Sequence, residues 1–325
     1  MRWIERCWYS GNKGYLLLLP LSWLYWVVIR LRAWAYRTGM KQSYRVNVPV
    51  IIVGNITVGG TGKTPFTLWL CDYLQQQGLR PGIISRGYGA EVSAPKQVDA
   101  GAAASEVGDE PLLLAQRSGC PVVVCRNRVA AAEYLLAHNQ ADIIISDDGL
   151  QHYRLQRALE IVLVDGTRGF GNGWLLPAGP LREPASRLKR VDIMVSNTEP
   201  FAGAHGLMAL KPGKALSLSG DEQLLPPAEV TLVAGIGNPE RFRRTALQAG
   251  FQIKDCYFFA DHHRFSAAEL SHIEGPVLMT EKDAVKCRAF ARHNWFSLTV
   301  DAQISDDIKQ LLTEKLNFIR SHYGT

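Results

Sequence analysis

No two cysteines in the chain are spaced C-x-x-C; the six present are scattered at Cys7, Cys71, Cys120, Cys125, Cys256 and Cys287. That leaves no zinc signature and no disulfide framework, and it suits a reducing compartment. Cys120 and Cys125 bracket the apolar run Pro-Val-Val-Val and read as core residues. Charge is sparse too: 20% of the 325 residues are charged and 47% are hydrophobic, the balance of a globular chain and not a disordered one. No internal repeat is visible, which excludes solenoids and propellers. The longest apolar run, residues 15–29, is broken only by Ser22 and contains Pro20. It falls short of the roughly 20 residues a spanning helix needs. No small-residue cleavage site follows it, so it is no ordinary signal peptide.

The formal net charge of +6 is unevenly placed. Residues 1–45 hold eight Lys/Arg (Arg2, Arg6, Lys13, Arg30, Arg32, Arg37, Lys41, Arg45) against Glu5 alone. The remaining 28 basic and 29 acidic residues nearly cancel, so no nucleic-acid-binding body is implied. The same N-terminal segment carries five of the eight tryptophans. Aromatics and basic residues around a short apolar run are what a segment lying in a lipid headgroup layer uses. A buried helix of the first domain and a true spanning helix remain the alternatives.

What is present is a phosphate-binding pattern. Residues 49–64 read Pro-Val-Ile-Ile-Val-Gly-Asn-Ile-Thr-Val-Gly-Gly-Thr-Gly-Lys-Thr. A short β-branched strand leads into a glycine turn, then Lys63-Thr64, then a helical pattern over 65–77. The loop Thr57, Val58, Gly59, Gly60, Thr61, Gly62 turns its N–H groups toward a polyphosphate. Lys63 reaches the β- and γ-phosphates and Thr64 takes a place on Mg²⁺. The full pattern wants glycine where this chain has Thr57.

Strand-like runs at 82–85, 121–125, 142–146, 161–164 and 191–195 alternate with helical patterns at 110–118 and 127–138. That spacing predicts βαβ units, a mostly parallel sheet, and ligands outside the carboxyl ends of its strands. We expect an N-terminal hydrophobic and basic membrane-associated segment (1–45), a P-loop domain (46–204), a linker with one or two short strands (205–228, in the stretch 201–228 rich in Gly, Pro, Ala and Ser) and a smaller α/β domain (229–325). Within the last, residues 267–273 read as a helix.

Other polar clusters carry chemistry. Asp147-Asp148 ends an apolar strand, where paired acids hold Mg²⁺ beside a phosphate loop; a solvated turn is the alternative. Asp109 in Gly-Asp-Glu-Pro is a plain N-cap or a functional acid. In Asp261-His262-His263-Arg264, adjacent histidines do not suit one metal, but one of them suits a base-supporting role. Arg182-Glu183 lies in a proline-rich loop, with Arg suited to phosphate and Glu to a cation.

Together these segments resemble the tetraacyldisaccharide 4′-kinase (lipid A 4′-kinase) family along nearly the whole chain. The resemblance runs through residues 53–64, Ser-Arg-Gly-Tyr-Gly (85–89), Val-Gly-Asp-Glu-Pro (107–111) and Asp-Asp-Gly-Leu-Gln-His (147–152). It continues in Leu-Pro-Ala-Gly-Pro-Leu-Arg-Glu (176–183), Asp-His-His-Arg-Phe (261–265) and Thr-Glu-Lys-Asp-Ala-Val-Lys (280–286). It implies ATP and Mg²⁺ as cofactors, and phosphoryl transfer to the 4′-hydroxyl of a tetraacylated glucosamine disaccharide 1-phosphate. It implies a peripheral, monotopic place on the cytoplasmic face of the inner membrane, with no obligate protein partner and no nucleic acid. Lys63 and Thr64 fall on its nucleotide and Mg²⁺ positions, and Asp147 and Asp148 on its acidic pair. Asp109 and His262 fall on its catalytic dyad, and Arg182 and Glu183 on an active-site Arg–Glu. Thr57 is that family's habit. His263 is given no role.

The rival of another class is a membrane-bound partition-type regulatory ATPase, whose loop carries an extra lysine where this chain has Val58. A GTPase is the other rival, but Thr280-Glu281-Lys282-Asp283 has the guanine-reading letters out of place.

Overall fold

The β-branched run ahead of the glycine loop forms strand β1 (Val50–Gly54), buried along its whole length. The structure, a computed structural model, describes residues 3–90, 92–220 and 222–323; Arg2 of the basic segment lies outside them. β1 is followed by β2 (Pro81–Ser85), the short β3 (Lys96–Gln97), β4 (Val122–Val124), β5 (Ile143–Asp147), β6 (Leu159–Asp165) and β7 (Ile193–Asn197). They stand in the order β7-β6-β1-β5-β2-β4-β3, parallel except for β3 against β4.

Between them run α1 (Trp3–Tyr9), α2 (Leu19–Arg37), α3 (Lys63–Gln76), α4 (Ala104–Val107), α5 (Asp109–Ser118) and α6 (Arg128–His138). Strand side chains alternate between faces, so Ile51 and Val53 pack with α3 and α5 while Val50 and Ile52 pack with α6. A parallel sheet covered on both faces needs strands that are apolar throughout, as these are.

The second half adds β8 (Gly206–Ser217), β9 (Gln223–Leu224), β10 (Glu229–Ala234), β11 (Gln252–Phe258), β12 (Val277–Thr280) and β13 (Trp295–Ile304). Its helices are α7 (Pro239–Gln248), α8 (Glu281–Cys287) and α9 (Asp306–Tyr323). The order continues β11-β10-β12-β13-β8, and β8 joins the halves into one sheet by pairing parallel with β7 and antiparallel with β13.

Residues 205–228, expected as a linker with one or two short strands, contain the short β9 and a strand much longer than expected, the 12-residue β8. Gly213 and Pro212 gave the stretch its linker look. They sit where the pairing of β8 with β13 shifts register, the place where a strand tolerates them. A Cβ at Gly213 would crowd the Thr299 hydroxyl, which would have to shift to admit it. Residues 267–273, expected as a helix, form turns instead, with Ser266 Oγ accepting the Glu269 N–H. Leu270 and Ile273 are buried in the core of the second half all the same, so turns meet the packing that a helix was expected to supply.

The N-terminal helix is longer than its apolar run. A 3₁₀ stretch (Lys13–Leu18) feeds directly into α2, giving 25 helical residues over Lys13–Arg37. Arginine is a good helix former, so Arg30 and Arg32 do not end it. By length and composition this helix is sufficient to cross a membrane, and the 15-residue count of the sequence reading underestimates it. Only Ser22 of α2 is buried.

Candidate active site

A cavity of about 770 Å³ opens at the carboxyl ends of β1, β2 and β5, between the glycine loop and elements of the second half. Residues 58–64, Asp109, Asp147, Asp148, Arg182 and His262 line it. Two expected residues, Thr57 and Glu183, do not.

The loop owes its shape to local backbone and two asparagines. Gly59 and Gly62 have φ of +111° and +89°, a region costly for other residues. Asn55, at the end of β1, donates to the Thr57 carbonyl at 2.8 Å and accepts from Lys63 Nζ at 3.3 Å. Asn197, at the end of β7, donates to the Thr61 carbonyl at 2.9 Å. The proline-rich loop is laced alongside: Val58 N donates to Pro180 O at 2.8 Å and Arg182 N to Ile56 O at 2.6 Å. Thr57 lends its backbone to this lacing, in a bridge with Leu181, and so is absent from the cavity wall.

The paired acids occupy different states. Asp147 is buried at the tip of β5; burial, then the Glu110 charge, push its carboxyl up to about 7. Its Oδ1 makes no hydrogen bond among the described residues. Asp148 has φ of +48° and accepts from Arg182 Nη1 at 2.9 and 3.0 Å, with Lys63 Nζ at 3.5 Å. Burial alone would raise it, but Lys63 and Arg182 overcome that and hold it well below the carboxylate range. A buried carboxylate with an orphaned oxygen, beside an ionised one and Thr64, fits a cation that takes one or two carboxylates plus phosphate oxygens and waters, which is the habit of Mg²⁺.

Asp109 is the first residue of α5, and the cap position belongs to Gly108. A Cβ on Gly108 would lie 2.8 Å from the Tyr88 carbonyl, so only glycine lets the chain enter the helix there. The Asp109 carboxylate is thus not the N-cap: its Oδ1 accepts the Glu110 N–H at 2.9 Å, and its Oδ2 meets His262 Nδ1 at 3.0 Å. His262, at φ of +59°, also lies against the Tyr88 ring, centroids 4.7 Å apart. Lys282 Nζ sits 3.2 Å from His262 Nε2, 3.0 Å from Glu110 and 4.0 Å from Asp109, and Lys286 is 4.0 Å from Asp109. Burial would raise Asp109, yet the hydrogen bond from His262 and the lysines lower it. Burial would lower His262, but Asp109 raises it. His263 is elsewhere engaged, with Glu269 at 2.9 Å.

Glu183 faces a different set of partners. Gln151 Nε2 donates to it at 2.8 Å, Tyr153 OH at 2.6 Å, and Arg187 Nε is 3.5 Å away. Burial, then Glu183, push the Tyr153 phenol up to about 12. The geometry makes Glu183 a brace behind Gln151, which does line the cavity, and does not bring it to the acidic pair.

Sequence reasoning missed several lining residues. Gln151 and His152 lie within a motif already quoted, but no role was attached to them. Burial, then Arg128, push His152 down to about 4, so it is neutral at pH 7. Tyr25 and Arg32 come from α2: Tyr25 OH donates to Arg182 O at 2.9 Å and Arg32 Nη2 to Gln151 O at 3.0 Å. Ser22 Oγ donates to Leu175 O and accepts from Ala178 N, both at 2.9 Å. The N-terminal helix thus borders the cavity along one edge, while Trp23, Leu24, Val27, Val28 and Leu31 stay exposed. No periodicity in the sequence shows which edge docks.

Comparison with known proteins gives a consistent result. A sequence profile described as tetraacyldisaccharide-1-P 4′-kinase matches residues 15–317. A tetraacyldisaccharide 4′-kinase of Methylobacillus flagellatus is 48% identical over 322 residues, covering 97% of this chain and 96% of that one. The Shewanella amazonensis protein of the same description is 45% identical over 332 residues, covering 97% and 95%. Among solved structures, LpxK from Aquifex aeolicus, crystallised in complex with ATP, superposes with a TM-score of 0.77 at 30% identity. It covers 94% of this chain and 99% of that one.

Proposed function

The chain belongs to the tetraacyldisaccharide-1-P 4′-kinase family, and on that premise we propose that it moves the γ-phosphate of ATP to the 4′-hydroxyl of a tetraacylated glucosamine disaccharide 1-phosphate, yielding the 1,4′-bis-phosphate. The observation that carries the reading is one cavity holding three things: a glycine loop with Lys63, a carboxylate–imidazole pair, and the edge of an exposed apolar helix.

In this reading the loop N–H groups and Lys63 hold the triphosphate, and Arg182 stands beside Lys63 to meet charge on the transferring group. Both cations are engaged with Asp148 in this structure, so an arriving polyphosphate competes for them. Thr64, Asp147 and Asp148 would hold Mg²⁺, which when bound neutralises charge on the β- and γ-oxygens. Asp109 accepts the proton of the acceptor hydroxyl, and His262 orients its carboxylate. The lysines that keep Asp109 ionised also make it a weak base. That suits a late proton transfer, where positioning and charge do most of the work.

The exposed side of α2 supports placement at a lipid surface, here the cytoplasmic face of the inner membrane. Arg30, Arg32 and Arg37 on the helix, with Trp23, Trp26 and Trp34, are anchors for a headgroup layer. A four-chain acceptor lying in that surface would reach the cavity past Tyr25 and Arg32. We further propose the functional division 1–45, 46–204, 205–228 and 229–325, with β8 as the structured join. The regulatory-ATPase reading gains nothing: position 58 is Val, and Asp109 with His262 would be idle in a switch.

Transfer of labelled phosphate from ATP to tetraacyldisaccharide 1-phosphate in mixed micelles tests the proposal. Labelled lipid should accumulate with wild type and be lost with Lys63→Ala. ATP turnover indifferent to the lipid, with no labelled product, would refute it.

A further inference from the structure

Arg241 lies on the first turn of α7, in the second half of the chain, yet its guanidinium reaches the glycine loop. A Cβ built on Gly60 would be 3.4 Å from Arg241 Nη2. The segment leading into α7 is equally close: a Cβ on Gly237 would be 3.7 Å from the Gly60 nitrogen. The position is fixed by local structure. Asn238 caps the helix by accepting the Arg241 N–H at 3.2 Å, and Thr245 Oγ1 donates to the Arg241 carbonyl at 2.9 Å.

The guanidinium is half-buried in the cavity wall, with Nη1 fully buried, and it is poorly compensated there. Its Nη1 makes no hydrogen bond among the described residues. Its nearest carboxylate oxygen, Asp165 Oδ2, is 3.7 Å away, too long for a hydrogen bond. The other oxygen of Asp165 accepts the N–H groups of Thr167 and Arg168 at 3.0 and 3.1 Å, so Asp165 has its own backbone duty. Arg168 and Arg244 nearby add positive charge, and burial pushes the Arg241 guanidinium below its ordinary range. A buried charged donor left unused, as Nη1 is, is expensive unless an anion completes it. Arg182 has Asp148 as a hydrogen-bonded partner and Lys63 has Asn55, whereas Arg241 Nη1 has only the 3.7 Å approach of Asp165.

We propose that Arg241 is a phosphate-binding residue of the nucleotide site, supplied by the second half of the chain and directed at the β–γ end of the triphosphate held on the glycine loop. The inference rests on the kinase reading above. Planar guanidinium donors suit bidentate capture of phosphate oxygens, and a contact made from α7 would hold the nucleotide from both halves of the sheet.

The test compares binding of Mg·ATP and Mg·ADP by calorimetry for wild type, Arg241→Ala and Arg241→Lys. ATP affinity should fall about tenfold or more in Arg241→Ala, ADP affinity by less than about threefold, and Arg241→Lys should recover part of the loss. A merely structural arginine would weaken both nucleotides alike. Equal losses, or none, would overturn the inference, as would failure of both variants to fold, since that would assign the guanidinium to the core. Wild type that binds neither nucleotide would remove the kinase reading itself, a result distinct from unchanged discrimination in the variants.

Discussion

Asp109 and His262 stand 153 positions apart in the chain, and their side chains meet at 3.0 Å across the cavity. One comes from the start of α5 in the first half, the other from a turn after β11 in the second. The pair exists only because β8 carries the sheet through from one half to the other, which makes the contact a property of the whole fold.

This pair should leave a mark on stability. Asp109 is ionised below its ordinary 3.8 and His262 is protonated above its ordinary 6.5. The His262 contribution is fully present below 6.5 and is lost as pH rises through the elevated folded value. The Asp109 contribution is present above 3.8 and is lost as pH falls through its depressed folded value. Lys282, Lys286, Asp261, Glu110 and Tyr88 also face the pair. The melting-temperature gap between wild type and His262→Ala should therefore be larger near pH 5.5 than near pH 8.5. A gap that is flat, or that grows with pH, would mean Lys282 is the partner that matters to Asp109.

Glu183 separates a metal role from a bracing one. With Gln151, Tyr153 and Arg187 as partners, Glu183→Gln should destabilise the fold by about 1–3 kcal/mol through buried groups left unpaired. The Mg²⁺ dependence of activity should barely move. A stable variant with a much higher Mg²⁺ requirement would return Glu183 to the metal shell.

Much of the cavity was legible because its signals are local. β1, the glycines, Lys63 and Thr64 follow one another without interruption, and Asp147-Asp148 closes an unmistakable strand. What stayed hidden depends on neighbours far away in sequence. Asn197 looks like an ordinary strand end until β7 is placed beside the loop, where it holds the Thr61 carbonyl. Glu183 sits next to Arg182 in sequence, yet the backbone lacing to Ile56 points only the arginine into the cavity. The length of α2 was misjudged because apolarity was counted, while helix propensity decides where a helix stops.

The exposed side of α2 carries its own expectation. Trp23, Leu24 and Val27 are 68%, 63% and 42% exposed, so replacing all three by serine removes little packing. The melting temperature should stay within a few degrees of wild type, while sedimentation with anionic vesicles falls and KM for the lipid acceptor rises. Unchanged vesicle binding would place the attachment elsewhere, and a collapsed fold would mean this side packs against protein.

The last prediction concerns what Asp109 and His262 do together. A sugar hydroxyl must lose its proton as the new bond to phosphorus forms, and an ionised carboxylate within hydrogen-bond reach can take it. Asp147 and Asp148 are poor candidates, since both stand where the proposed Mg²⁺ would be held, a carboxylate on a cation is a weak base, and Asp148 is also tied to Arg182 and Lys63. Asp109 is ionised at neutral pH, lines the cavity and is oriented by His262. Asp109→Asn preserves shape and removes basicity, so it should lower kcat about 10²- to 10⁴-fold with ATP binding nearly unchanged. His262→Ala should cost less, because the carboxylate keeps Lys282 and Lys286 at 4.0 Å. If the imidazole acts only through the carboxylate, the double variant should be little worse than Asp109→Asn alone. Losses that multiply would show two independent roles. A rise confined to the KM for ATP would move Asp109 out of the chemistry and into nucleotide binding.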